Sequence, residues 1–279
     1  MIHFFLESLQ TNWAYTLAAL KPWLPLLVVA TLVEIFRPGR KLKAKSTIAN
    51  FIYAPIALTL GATILGPTIA WANTKLPHDI IHLRTFSESV WGSVLVWVTY
   101  LILFDFFYYW LHRAQHQIPF MWRFHMVHHT DENVSASSVG RHHWLEDGFR
   151  FFFITAPLII LMGGASQIPM VATGFIIFNG VLMHWNTSFR FGPFEKLIIT
   201  PAYHRIHHSI EEKHFDKNFG VFTQTWDKVF KTRHLPTQEE YPTTGVSHMS
   251  EEKTLALLLP WPVVLQKSED IASKNNSCA

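Results

Sequence analysis

Charge and thiols are the two things this 279-residue chain has little of. Asp, Glu, Lys and Arg together make up 15% of it, against about 25% in an ordinary soluble protein. A chain with so few charges is not built to be solvated on every side. Its single cysteine, Cys278, lies in a polar C-terminal tail. That excludes a disulfide framework, a thiolate cluster for zinc or iron–sulfur, and a prenylation position. Any metal must then be held by nitrogen and oxygen. The net charge is only +3, and the basic residues gather at 37–45 (Arg37, Arg40, Lys41, Lys43, Lys45). They do not interleave with exposed aromatics as on nucleic-acid-binding surfaces, so nucleic acid is not an expected partner. No G-x-G-x-x-G fingerprint for a dinucleotide and no tandem repeat occurs.

What the chain does have is apolar length: 49% of it is hydrophobic and 15% aromatic. Residues 13–36 are long and apolar enough to cross the ~30 Å hydrocarbon core of a bilayer, although Lys21, Pro22, Pro25 and Glu34 interrupt them. No basic n-region precedes the segment and no small-residue cleavage site ends it, so a removable signal peptide is not expected. The basic run 37–45 follows directly, and the positive-inside rule puts it in the cytoplasm, with the N-terminus outside. A second span is expected from about Thr47 to Ala72 and a third from Val90 to Trp110. Residues 73–89 then face outward. The apolar stretch 151–185 is broken at Gly163–Gln167 and reads as a helical hairpin that returns to the side it came from.

Histidine is the second abundance. Seventeen are present, and eight fall in three clusters: His112 and His116; His125, His128 and His129; His204, His207 and His208. The last two share the spacing H-x-x-H-H. Spacings of three and four put side chains about 5–6 Å apart on one helix face, where neutral imidazoles can converge on an ion. Eight donors exceed the three or four that one tetrahedral zinc takes, so the count fits two metal ions. The expected topology brings every cluster to the cytoplasmic face. His184, at the end of the hairpin, reaches the same surface, and of His142 and His143 one is expected to point inward. Asp105 shares the stripe that carries His112 and His116; an acidic group there is costly unless it has a partner, and it reads as an acceptor that orients a liganding imidazole.

The motifs D-F-F-Y-Y-W-L-H-R-A-Q-H (105–116), F-H-M-V-H-H-T (124–130), H-W-N (184–186), Y-H-R-I-H-H-S (203–209), N-F-G (218–220) and W-D-K-V-F-K-T (226–232) resemble, in order, those of the sterol desaturase and fatty acid hydroxylase superfamily. The resemblance implies an integral membrane enzyme with a histidine-rich di-iron centre that uses O2 and external electrons to hydroxylate or desaturate a lipid. It implies that His112, His116, His125, His128, His129, His184, His204, His207 and His208 hold the metals. His143 is added from the R-x-H-P-L-E stretch of such proteins, although Trp144 stands here where proline is expected.

The expected fold is therefore all-α: a membrane bundle of about four spanning or hairpin helices, with a cytoplasmic helical cap carrying the histidines. Residues 1–89 form the N-terminal membrane part, 90–235 the catalytic domain and 236–279 a C-terminal segment and tail. A bacterial inner membrane is favoured over the endoplasmic reticulum. No flavin, nicotinamide or cytochrome module is recognisable, so electrons are expected from a separate reductase, ferredoxin or cytochrome b5 type of donor. Two rival readings are a zinc-dependent membrane hydrolase or isomerase, and a non-enzymatic membrane metal-binding protein. Zinc would leave much of the donor set unused, and a carrier would spread its ligands along a transmembrane path.

Overall fold

The computed structural model describes residues 2–36, 38–82, 89–163, 170–237 and 239–246. Among these, every regular element is helical apart from two isolated β-bridges. Three helical stretches are long and apolar enough to cross a membrane: Ile2–Phe36, Ala44–Ile64 and Val90–Gln117. The chain is a multi-pass membrane protein. Their outer faces carry the expected apolar coat, including Leu17, Val28, Leu32, Ile52, Leu95, Val98 and Ile102.

The first stretch begins well before residue 13. It comprises α1 (Ile2–Leu20) and α2 (Leu24–Phe36), joined by a 3-10 turn at Lys21–Trp23. Pro22 and Pro25 supply no backbone N–H there, which is why the helix tightens and bends instead of running straight. The expected second span divides into α3 (Ala44–Ile64) and α4 (Gly66–Asn73). α3 runs antiparallel to α1: Asn12 Nδ2 donates to Thr63 Oγ1 and Thr59 Oγ1 to Thr16 Oγ1. α5 (Val90–Gln117) is capped by Ser89, whose side chain accepts from the Gly92 N–H. Its 28 residues extend about 42 Å at 1.5 Å per residue. That exceeds the bilayer core, so its last turns, with His112 and His116, project beyond it.

α6 (Pro119–His129) starts one residue after α5, with proline in its first turn, where a missing N–H costs nothing. The sharp reversal lays α6 against the end of α5. α7 (Glu146–Arg150), a π-helical turn at Phe151–Thr155 and α8 (Ala156–Met162) form the outgoing arm of the hairpin; α9 (Met170–Met183) is the returning arm. The break between them opens at Gly163, at φ +91, a conformation glycine adopts without a Cβ clash. The rest of the predicted break lies outside the described residues. The Ile80 and Ile81 N–H groups donate to the Ile160 and Leu161 carbonyls at 3.0 Å, satisfying the end of α8. Residues 79–81 and the far end of α8 therefore share one side of the bundle. α10 (Pro201–His207) is started by Thr200, which caps the Tyr203 N–H, and by Pro201; α11 (Thr225–Val229) follows.

At the opposite end a buried polar knot welds the membrane helices to the histidine helices. Asp131, just past α6, accepts from Ser46 Oγ, Asn50 Nδ2, Ser138 Oγ and the Asn133 N–H at 2.6–2.9 Å. Arg141 donates to Asn50 Oδ1, Thr130 Oγ1 and the Val127 carbonyl. Burial alone would raise the Asp131 carboxyl, but the Arg141 guanidinium and these donors hold it below its usual range. Glu34, near the end of α2, accepts from the Ala136 and Asn186 N–H groups. Residues 239–246 lie across α10, with Ile210 N–H donating to the Thr243 carbonyl and Gly245 N–H to that of His208. Most of the expected C-terminal segment, 247–279 with Cys278, lies outside the described residues.

Asp131→Ala leaves Arg141 buried without its counter-charge, a defect of about 3–5 kcal/mol. The expected result is a large fall in melting temperature of the detergent-purified protein. Lys43→Ala removes the partly exposed Lys43–Glu132 pair (2.7 Å), and an exposed pair of this kind is worth about 1 kcal/mol or less. Equal melting temperatures for the two variants would contradict the assignment of this knot as the weld.

Candidate metal centre

Nine histidines converge at the end of α5, and they divide into two groups. His112, His116, His125, His129 and His207 present ligand atoms within 4.8 Å of one another, and so do His128, His184, His204 and His208. The division follows from helix geometry. Residues i and i+4 lie about 40° apart around a helix, whereas i+3 lies on the other flank. Each H-x-x-H-H therefore gives its i, i+4 pair to one group and its middle histidine to the other. α6 contributes His125 and His129 to the first group and His128 to the second; α10 contributes His204 and His208 to the second and His207 to the first. His112 and His116, themselves i, i+4 on α5, complete the first. His184, just past α9, completes the second. The groups adjoin through His129 and His208, whose rings stack at 4.3 Å.

The tautomers are fixed by what lies behind the rings. A carbonyl oxygen only accepts, so an Nδ1 that bonds to one carries the proton. His112 Nδ1 donates to the Phe219 carbonyl (2.9 Å), His128 to Arg141 (3.3 Å), His184 to Gly180 (2.7 Å) and His207 to Lys217 (2.9 Å). His125 Nδ1 donates to Glu146 Oε2 at 3.2 Å. All five then aim bare Nε2 lone pairs into the pocket. The His128 and His184 Nε2 atoms lie 3.1 Å apart, too close for two bare lone pairs unless both were to share a cation. The Nε2 atoms of His112, His116 and His125 are buried with no protein partner. Metal bonds of about 2.1 Å at right angles put neighbouring nitrogens about 3.0 Å apart. The Nε2 separations His204–His184 and His208–His204 are both 3.0 Å. The donor set fits metal.

The electrostatics agree. Burial, then the neighbouring imidazoles, hold His128, His129, His204 and His208 well below the usual histidine range. Burial brings His184 to about 4 and His207 to about 3. Near neutral pH these rings are uncharged, as ligands must be. Glu146 is buried, which by itself would raise its carboxyl, yet His142 and His125 hold it well below the carboxylate range. It is an anion beside the first group.

The N-F-G and W-D motifs acquire a physical role. Asn218 sits at φ +62, where asparagine is among the better-tolerated residues. The backbone kink turns the carbonyls of Lys217 and Phe219, on either side of it, toward His207 and His112. The Phe219 ring lies under His112, His116 and His207 at 5.3–5.7 Å. At Gly220 an added Cβ would meet the Thr223 carbonyl. Asp227 holds the loop by accepting from the Phe219 and Gly220 N–H groups, Tyr203 Oη and Thr232 Oγ1.

Two expectations change. Asp105 does not orient an imidazole: its carboxylate accepts from the Val221 and Phe222 N–H groups and Thr223 Oγ1. It pays for its burial by tying α5 to the chain that follows Gly220. The carboxylate that orients a ring is Glu146, from R-H-H-W-L-E, which also accepts from Gln115 Nε2 at 2.7 Å. His143 belongs to neither group. Its Nδ1 accepts from the Leu145 N–H and its ring packs on Phe124, because the turn into α7 points it away. His142 is the inward one, its ring stacked on His128 at 4.2 Å.

Glu146→Gln should lower metal affinity by about 10–100-fold, the usual cost of removing a carboxylate behind a ligand, with the fold retained. Asp105→Asn should act mainly on thermal stability. Chelator competition and melting curves measured on both variants check this. A larger loss of metal affinity in Asp105→Asn would reverse the two roles.

Comparison with known proteins matches this region. Residues 97–232 match the fatty acid hydroxylase family. The chain is 30% identical over 228 residues to an alkylglycerol monooxygenase of Homo sapiens, covering 80% of this chain and 47% of the relative. It is 29% identical over 203 residues to an ornithine lipid hydroxylase of Rhizobium tropici, covering 73% and 60%. A very-long-chain aldehyde decarbonylase of Oryza sativa is 26% identical over 166 residues, covering 56% and 26%. The chain thus spans about half the length of the curated relatives it matches. No solved structure matches it. With the family's histidine spacing, its matched segment and its relatives in agreement, the chain belongs to the fatty acid hydroxylase family, within the sterol desaturase and fatty acid hydroxylase superfamily.

Proposed function

We propose that this protein is a membrane-bound non-haem di-iron oxygenase that hydroxylates or desaturates a C–H bond of a lipid, using O2 and electrons from a separate donor. The observation that carries the proposal is the division of nine histidines, eight of them buried, into two adjoining donor groups. A zinc hydrolase needs three donors and a water; two nitrogen-rich groups side by side suit a redox pair. His112, His116, His125, His129 and His207 would hold one iron and His128, His184, His204 and His208 the other. Iron bound there supplies the activation of O2 and the removal of hydrogen from an unactivated carbon, which no side chain can perform.

The chain's own residues supply position and dryness. The carbonyls of Phe219, Arg141, Gly180 and Lys217 and the Glu146 carboxylate fix the rings, so the donors need no rearrangement when metal binds. Phe219, Tyr108 and Trp122 pack against the histidines at 5.0–5.6 Å and exclude water. An aromatic row leads away along α5: Tyr108 contacts Phe104, and Phe104 contacts Phe222, which meets Phe175. We assign this row as the wall along which an alkyl chain reaches the centre from the bilayer. The relatives named as a monooxygenase of alkylglycerol and a hydroxylase of ornithine lipid support a lipid substrate.

The basic segment after α2 contacts the histidine end: Arg40 donates to Thr243 Oγ1 and the Tyr241 carbonyl, and Lys43 pairs with Glu132. By the positive-inside rule this end is cytoplasmic. A soluble or peripheral donor of the reductase, ferredoxin or cytochrome b5 type would reach it there, and a bacterial inner membrane suits the arrangement.

The direct test is membranes containing the protein, a reductant and labelled O2, followed by lipid mass spectrometry. The expected product is a lipid gaining one labelled oxygen, or losing two hydrogens, only when O2 is present. His128→Ala and His207→Ala should abolish it and lower bound iron, whereas His78→Ala, at an exposed position, should change neither. Turnover that persists without O2 would contradict the proposal.

A further inference from the structure

Outside the nine histidines, a second kind of donor cluster forms where the chain from α11 folds back beside the end of α10. His214, His234 and Glu240 present ligand atoms within 4.8 Å of one another. They come from three separate points of the sequence. His214 Nε2 lies 3.0 Å from Glu240 Oε1, and His234 Nε2 lies 3.0 Å from Glu240 Oε2. The two imidazole rings meet edge to face at 4.9 Å, so both Nε2 atoms point at one carboxylate.

From this geometry we propose a third metal site, separate from the paired centre, in which His214, His234 and Glu240 bind a divalent cation of the zinc class. Two imidazoles and a carboxylate are a common donor set for such ions, with a fourth position left for water. The His234 side chain is 28% and that of Glu240 14% exposed, which leaves that position open to solvent. Behind the site, His214 Nδ1 lies 2.8 Å from Ser209 Oγ. A hydrogen bond at that nitrogen is what sets the ring of a metal-binding histidine. His214 itself is fully buried, so its ring is already in place.

A cation already stands at the carboxylate. Lys213 Nζ lies 3.1 Å from Glu240 Oε1 and 3.2 Å from Glu211 Oε2, on a side chain that is 60% exposed. This ammonium can swing into water and give way to a metal ion. The bound ion would staple the returning segment to the α10 end: Asn218 Oδ1 accepts from the His234 N–H, and Thr243 and Gly245 bond beside His208. The site would act on the stability of that cover and not on the reacting atoms.

The test uses the full chain in detergent, with its iron complement measured first and zinc then added and free metal removed. Wild type should hold one zinc beyond its iron, and His234→Ala and Glu240→Gln should lose that zinc while keeping their iron. Lys213→Ala should tighten zinc binding about fivefold, because a competing unit charge at ~4 Å in water is removed. Bound zinc should also slow proteolysis within residues 233–246. No zinc beyond the iron complement in wild type would overturn the proposal and leave the cluster a hydrogen-bonded clip. Extra zinc that persists in both variants, or iron lost along with the zinc, would overturn it as well.

Discussion

Nitrogen lone pairs forced together in a buried pocket are the constraint on which the rest of this structure depends. Five imidazoles have their protons committed to carbonyls or to Glu146, so their other nitrogens point inward bare. Burial holds His128, His184 and His207 below the usual histidine range, so protonation does not relieve the crowding there near neutral pH. A bound cation would. The same burial that makes the pocket costly without metal makes it dry and rigid with metal.

Five of the rings are anchored from behind, four by carbonyls and one by Glu146, and buried acids hold the segments that carry them. Asp131 with Arg141 fixes the end of α6 to the start of α3, and Arg141 in turn offers its carbonyl to His128. Asp227 fixes the loop whose carbonyls hold His112 and His207. Asp105 fixes the chain just beyond that loop to α5. Glu34 reaches from α2 to the backbone of Asn186, two residues past His184. α2, α3 and α5 are therefore each tied by a polar contact to a segment one or two steps from a metal-facing imidazole. A buried hydrogen-bonded network of this kind is costly to break at any one point, because removing one partner strands the others.

Much of this was legible in the sequence. Long apolar runs mark the membrane helices, and repeated three- and four-residue histidine spacings mark donors on helix faces. The crosswise sharing of the two H-x-x-H-H motifs was not legible, although it follows from the 100° step once the packing of α6 and α10 is known. Asp105 misled for a related reason. Its stripe leads to His112, but the helix faces the 221–223 backbone at that level, so the carboxylate found N–H groups instead of a ring. His142 and His143 are neighbours in sequence, and only the turn into α7 decides which faces inward. Glu146 lies 21 residues from the ring it holds, and its signal was the acid ending R-H-H-W-L-E. The His214, His234 and Glu240 cluster carries no spacing signature, because it forms only when the segment after α11 folds back.

The central claim is that two irons sit side by side, each in its own histidine group. Anomalous diffraction at the iron edge from crystals of the iron-loaded protein tests it most directly. Two peaks are expected, one enclosed by His112, His116, His125, His129 and His207 and the other by His128, His184, His204 and His208. A single peak, or iron bound away from these rings, would contradict the account.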